Sequence, residues 1–184
     1  MVDVTILVPV AGLAAVAVAA YLAWSVLRLS PGDDKMRGIA ARIQEGARAF
    51  MRRQYRTIAL IAAVVAVIFA AAIGATRGWE NGAKTAVAFS LGATLSAASG
   101  YIGMYISVRA NSRCANDGLS SFGRALRTAL RGGAVSGLTI IGFSLLGVWG
   151  IYSLYGLVTP PRADEAARQS DIVLSIVGFG FGAS

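Results

Sequence analysis

Residues 89–116 read FSLGATLSAASGYIGMYISVRANSRCAN, and this stretch decides the fold. Residues 89–108 carry no charge and match the ~20 apolar residues that cross a bilayer. Small residues recur every three or four positions, which predicts that they line one helix face; they are Gly92, Ser96, Gly100, Gly103 and Ser107. Such a face lets helix backbones approach closely in lipid. The stretch predicts a membrane helix in a crowded bundle, which runs into water from Arg109 onward.

The composition favours a membrane protein over a soluble or disordered one. The 184 residues are 56% hydrophobic and 14% charged, with 22 Gly and a formal net charge of +8. Because the basic residues flank apolar runs, they favour a cytoplasmic membrane face over nucleic-acid binding. The chain has no His and one Cys, which excludes most zinc sites and an internal disulfide. Cys114 is interpreted as an incidental reduced thiol.

The sequence predicts a single all-α polytopic membrane domain over 1–184, with four complete transmembrane helices and a shorter fifth. The spans are predicted at about 5–29, 56–75, 84–109, 132–157 and 171–184, and the cytoplasmic segments at 30–55 and 110–131. Turns are expected at 76–82 and at 116–118, and a loop at 158–168. Alanines at 11, 15, 19 and 23, and glycines at 133, 137, 142, 147 and 150, are expected to pack against other helices.

One long helix is expected from about Asp34 to Ala75, because no breaker separates its amphipathic first half from its apolar second half. Asp33 or Asp34 is expected to cap it, and Ser120 or Ser121 to cap the helix that follows the third span. The pattern places Met36, Ile39, Ile43, Ala47 and Phe50 on one apolar face. Arg48, Arg52 and Arg56 fall on another face, where Glu45 is expected to pair with Arg48 or Arg52.

The distribution of basic residues predicts the orientation of the chain. Of the 17 Lys and Arg residues, eight lie in 28–56, counting Arg28 and Arg56 at the ends of the first two spans, five lie in 109–131, and four lie in the two opposite loops. Cytoplasmic loops carry such an excess. The N-terminus is therefore expected outside a bacterial inner (plasma) membrane. The fifth apolar run reaches only about 21 Å, so the sequence is interpreted as an N-terminal fragment of a longer protein.

The residues predict no catalytic, cofactor-binding or metal-binding site. Catalysis would need paired carboxylates, a nucleophile–base pair or a metal cluster, and the acidic residues are scattered. The arginine face could hold an anionic substrate, but a topogenic and lipid-facing role is favoured. The terminal GFGFGAS lacks the lysine of a phosphate-binding loop, so helix packing is the preferred interpretation.

Four stretches, in order along the chain, resemble membrane-bound, ion-translocating pyrophosphatases. In QEGARAFMRRQYRTI (44–58) the matching residues are Glu45, Gly46, Ala47, Ala49, Phe50, Arg53, Gln54 and Tyr55. Gly103, Met104, Ala110 and Asn111 match a pattern of the third helix. Ala125-Leu126, 131–135 and Gly137-Leu138 resemble the entry to the fourth helix, and 177–184 resembles the first half of the fifth.

The resemblance implies a homodimeric pump with about sixteen helices per subunit, whose outer ring includes the first four. It implies hydrolysis of magnesium pyrophosphate on the cytoplasmic side and outward transport of H+ or Na+, with K+ as a further cofactor left open. The Asp- and Lys-rich motifs of the family's substrate site, and its ion-pathway residues, are absent from 1–184. The fragment alone is therefore expected to be inactive. The alternative is a small four-span membrane scaffold or anchor without enzymatic activity.

Overall fold

A computed structural model describes residues 4–158 and 165–184, with side chains at 6–156 and 169–184. The described residues form five α-helices, with short turns between them: α1 Val4–Leu27, α2 Asp34–Arg77, α3 Trp79–Gly118, α4 Phe122–Val158 and α5 Glu165–Ala183. By length and composition, α1 to α4 can each cross a membrane. The chain is thus an all-α polytopic membrane protein, as predicted. The exact limits of the spans and of the cytoplasmic segments remain predictions.

Local signals explain where α2 begins and ends. The Asp33 side chain accepts a 2.8 Å hydrogen bond from the Met36 amide, so Asp33 is the N-cap, one of the two residues expected there. The helix is continuous to Arg77, as predicted. Gly78, with φ 93°, then separates it from α3, because glycine adopts this conformation without steric cost.

Three predicted loop boundaries are wrong. The expected turn at 76–82 is reduced to Gly78, and 116–118 is helical, so that the turn falls at 119–120. At α4, the Ser121 carbonyl accepts the first helical bond, from Ala125, which makes Ser121 the N-cap residue. Of the expected loop at 158–168, Val158 and residues 165–168 are helical. The rest, which includes Pro160-Pro161, lies outside the described residues.

The chain divides into two compact units, and each long helix contributes to both. The first unit comprises the described residues of Met1–Gly12, Arg56–Ala97 and Phe143–Ser184. The second unit comprises Leu13–Tyr55 and Ala98–Gly142, and it carries twelve of the 17 basic residues.

The first unit is held together by contacts among α3, α4 and α5. Its core is Ala88, Ile151, Tyr155, Ile172 and Phe179. A Cβ added at Gly92 would lie 2.9 Å from the Ala183 nitrogen and against the Phe179 carbonyl. Gly178 and Gly182 are the glycines of GFGFGAS that face α3. A Cβ added at Gly178 would clash with Thr85, and one added at Gly182 would clash with Phe89. This stretch is helical and packed, which confirms the preferred interpretation.

The small-residue face of α3 is partly different from the prediction. Buried positions follow a seven-residue period, with Thr85, Gly92, Ser99 and Ile106 in one row and Phe89, Gly103 and Ala110 in the other. Gly100 and Ser107 are exposed. A Cβ added at Gly100 would lie 3.0 Å from the Tyr55 hydroxyl. A 92–96–100 spacing drifts off the contact line, whereas alternating steps of four and three stay on it.

Other predicted packing faces are confirmed only in part. On α2, Ile39, Ile43 and Phe50 of the apolar face are exposed, while Ala47 of that face is buried. On α4, Gly142 is buried and an added Cβ at Gly147 would lie against the Phe179 ring, whereas one at Gly133, Gly137 or Gly150 would meet nothing in the described residues. On α1, Ala19 is buried as predicted, while Ala11 is exposed. Hydrophobicity alone does not mark the buried side in a membrane protein, because lipid-facing residues are also apolar.

Candidate functional site: an arginine-lined cavity

The end of α1 is fixed by an arginine from α3. Arg113 donates from Nε to the Leu29 carbonyl at 3.1 Å and from Nη2 to the Leu27 carbonyl at 3.0 Å. Its Nη1 donates to the Arg109 carbonyl at 2.7 Å. The last carbonyls of a helix have no partner within the helix, and the guanidinium supplies one. Arg113 is thereby held in one orientation inside the second unit.

The turn between α1 and α2 is held from both sides. Gly32 has φ 95°, and its carbonyl accepts a 3.0 Å hydrogen bond from Arg37 Nε. Asn116 Nδ2 donates to the Ser30 carbonyl at 3.4 Å. These bonds position Arg37 beside the residues of α3 that reach the end of α1.

A cavity of about 600 Å³ lies among these elements, within the second unit. Four arginines contribute to its walls, with one carboxylate, so the walls carry an excess of three positive charges. The lining residues are Leu27, Pro31, Arg37, Ala40, Ala41, Gln44, Glu45, Arg48, Arg109, Ser112 and Arg113. Its volume falls in the ~300–1,000 Å³ range of small-molecule sites.

The predicted ion pairs of Glu45 are wrong. Across the described residues, neither Glu45 nor Arg48 makes a hydrogen bond or an ion pair, whereas Arg37 lies 3.9 Å from Asp34. Ion pairs between exposed residues on a helix stabilise it by only ~0.3–0.5 kcal/mol, so they are easily given up. Arg48 therefore lines the cavity without a hydrogen-bond or ion-pair partner among the described residues.

The remaining arginines reinforce the positive charge. Burial, and then the charge of neighbouring Arg109, lower the pKa of Arg113, which lies beyond the predicted span 84–109. The guanidinium carbon of Arg109 lies 3.5 Å from the centre of the Tyr105 ring, and its Nη1 donates to the Tyr105 carbonyl at 3.0 Å. Since an arginine stays protonated in proteins, both side chains remain cationic. The cavity is suited to an anion.

A second pocket, of about 410 Å³, shares Arg48 with the first. Its other lining residues are Met51, Arg52, Tyr55 and Tyr101. The Tyr55 and Tyr101 rings meet edge to face, with centroids 6.3 Å apart. One side of Arg48 thus faces a basic cavity, and the other faces an aromatic pocket.

Sequence reasoning found only part of this arrangement. It singled out Arg48 and Arg52 on α2, and both line pockets; the third residue of the predicted face, Arg56, lines neither. It missed Arg37, Arg109 and Arg113, and the available signal was the four-residue spacing of the last two on α3.

No group of three or more His, Cys, Asp or Glu side chains that could hold a metal ion occurs in the described part. Asp117 accepts a 2.7 Å bond from Thr128, and Cys114 Sγ donates to the Ala125 carbonyl.

Residues 13–184 match the family described as "Inorganic H+ pyrophosphatase". The chain belongs to this family. The resemblance of the four stretches is thereby confirmed.

Three relatives illustrate the match. The chain is 48% identical over 178 residues to "K(+)-insensitive pyrophosphate-energized proton pump 2" of Moorella thermoacetica, covering 97% of this chain and 24% of the relative. A "K(+)-insensitive pyrophosphate-energized proton pump" of Methanosarcina mazei is 44% identical, and the match covers 96% of this chain and 23% of the relative. "Pyrophosphate-energized membrane proton pump 3" of Arabidopsis thaliana is 34% identical, and the match covers 89% of this chain and 22% of the relative. The chain spans about a quarter of the length of these relatives.

The family-like stretch of α2, residues 44–58, supplies much of the lining of both pockets. Gln44, Glu45 and Arg48 line the cavity, and Met51, Arg52 and Tyr55 line the second pocket together with Arg48. Within this stretch, the exposed Phe50 lines neither pocket.

Proposed function

We propose that this chain is part of a membrane pump that couples pyrophosphate hydrolysis to H+ transport out of the cytoplasm. The observation that carries the proposal is the 48% identity, over nearly the whole chain, to a protein named as a pyrophosphate-energized proton pump. H+ is chosen over Na+, and independence of K+ is proposed, because the two most similar relatives cited are both named K(+)-insensitive proton pumps.

Within the pump, these helices are proposed to act as a scaffold and to contain no residues of the active site. Pyrophosphate hydrolysis needs carboxylates to hold Mg2+ and a base to position water. The described residues have no carboxylate cluster suited to Mg2+, so they do not fit this metal. We therefore propose that Mg2+ and pyrophosphate are bound by parts of the pump outside this chain, in a homodimer whose subunits are longer than 184 residues.

The proposed orientation has the N-terminus outside and the residues around the cavity in the cytoplasm. Its support is the excess of basic residues in 28–56 and 109–131 over the opposite loops. We also propose a bacterial plasma membrane as the location.

Proton transport by the longer protein tests this proposal. Inside-out vesicles containing that protein should acidify when magnesium pyrophosphate is added, equally with and without K+. Collapse of the proton gradient by an ionophore should abolish the signal and leave hydrolysis intact. Hydrolysis that depends on Na+, or that drives no acidification, would contradict the proposed ion.

A further inference from the structure

We propose that the arginine-lined cavity and the second pocket together bind one anionic phospholipid. The phosphate lies in the cavity against Arg48, and the start of an acyl chain lies in the second pocket. This inference goes beyond the pump proposal, and it does not rest on that proposal.

A phosphate group fits the charge and the geometry of the cavity. Guanidinium groups present planar pairs of N–H donors that match phosphate oxygens. Arg113 is committed to backbone carbonyls, while Arg48 makes no hydrogen bond or ion pair across the described residues. Arg109 uses one donor on its own helix and keeps others. The cavity thus offers oriented donors and an excess of positive charge over its one lining carboxylate, Glu45, although Arg37 also lies 3.9 Å from Asp34.

The neighbouring pocket indicates a lipid as the source of the phosphate. Arg48 joins the basic cavity to a pocket lined by Met51, Tyr55 and Tyr101 together with Arg52. A soluble phosphate would leave the Met51 and tyrosine side of this pocket unused. A phospholipid has a phosphate and an apolar chain in the same order as these two pockets. Both pockets lie within the second unit, so one molecule can be accommodated there.

Aromatic residues on α1 and α3 of the second unit indicate that the two pockets lie at the headgroup level of a membrane. Trp24 and Tyr21 are exposed near the end of α1, and Arg28 lies 3.7 Å from the Trp24 ring centre. Tyr105 stacks on Tyr101 at 6.4 Å. Trp and Tyr with adjacent basic residues are typical of the headgroup level of a bilayer. Anionic lipids of the cytoplasmic leaflet attract such basic segments.

Native mass spectrometry of the detergent-solubilised full chain tests the inference with phosphatidylglycerol as the probe. Arg48→Gln should weaken phosphatidylglycerol binding about tenfold, the loss of one charge-assisted hydrogen bond. Arg42→Gln is the matched control, because Arg42 lies on the same helix, is exposed and lines neither pocket. It should stay within about twofold of the unmodified chain.

Competition with soluble phosphates distinguishes a lipid headgroup from a free phosphate as the ligand. Glycerol 3-phosphate and inorganic phosphate should fail to displace bound phosphatidylglycerol at equal concentration. Tyr101→Ala should weaken the binding of phosphatidylglycerol and leave the binding of the soluble phosphates unchanged. Displacement by either soluble compound would overturn the lipid assignment. Equal losses in Arg48→Gln and Arg42→Gln would show diffuse attraction only, and would overturn the site. Both variants should unfold at the same temperature without lipid, because Arg48 has no protein partner in the described residues; a lower temperature for Arg48→Gln would assign it a structural role instead.

Discussion

The two units differ in their most prominent contacts between helices, although α1 to α4 run through both. In the first unit, glycines let the backbones of α3 and α5 come into direct contact around Gly92. In the second unit, the charged side chain of Arg113 binds the carbonyls at the end of α1. Small residues allow close backbone contact in lipid, and charged bonds to carbonyls suit a helix end. The comparison shows that one helix can be held by two kinds of contact along its length.

The largest effect concerns which side of the membrane each loop occupies. Asn81 follows the short break between α2 and α3, and Ser120 lies in the turn between α3 and α4. In a background with Cys114 replaced by serine, an impermeant thiol reagent should label Asn81→Cys only from outside and Ser120→Cys only from the cytoplasm, because basic loops stay inside. The reverse labelling pattern would invert the proposed orientation.

The packing of the first unit should be most sensitive at Gly92. In Gly92→Ala, the added methyl group must displace the backbone of α5 at Phe179 and Ala183. We expect a loss of about 3 kcal/mol in the free energy of unfolding, at the upper end of overpacking effects. Thermal unfolding in detergent measures it.

Gly180→Ala is the control for that change. Gly180 lies on α5, and an added Cβ there meets no atom of the described residues. Its stability should be unchanged or slightly higher, because alanine favours a helix by up to ~1 kcal/mol over glycine. Similar losses in the two variants would refute the backbone contact between α3 and α5.

The second unit should be more sensitive at Arg113 than at its other arginines. Arg113→Gln removes bonds to the Leu27 and Leu29 carbonyls, and we expect a loss of about 2 kcal/mol, typical of charge-assisted hydrogen bonds. Arg127→Gln removes the same charge from an exposed position on α4 and should change stability by less than about 0.5 kcal/mol. If denaturation midpoints show equal losses, Arg113 does not stabilise the end of α1.

The helices were largely predictable, and their buried faces were not. Long apolar runs fixed four spans, and Asp33 marked the start of α2. The pattern of α2 placed Ile39 and Phe50 on its apolar face, and both are exposed, because an amphipathic pattern distinguishes apolar from polar sides but not a protein neighbour from lipid. The seven-residue period of α3 was present in the sequence, but the spacing of small residues selected Gly100 in place of Ser99.

The cavity was less predictable than the fold. Arg48 was visible as one member of a charged helix face, yet its neighbours Arg109 and Arg113 come from α3, more than sixty positions later. Contacts at such separation depend on how two helices pack, which a single sequence does not specify. Glu45 illustrates the same limit, since its spacing favoured a local ion pair that the structure does not form.

Phosphate release from magnesium pyrophosphate, measured in parallel for the purified 184-residue chain and for the longer protein, tests the central claim most directly. The account predicts turnover by the longer protein and none by the chain above a mock preparation, since the described residues offer no carboxylate cluster for the metal. Turnover by the chain alone that disappears in Glu45→Gln would contradict the account, and would place a catalytic site on α2.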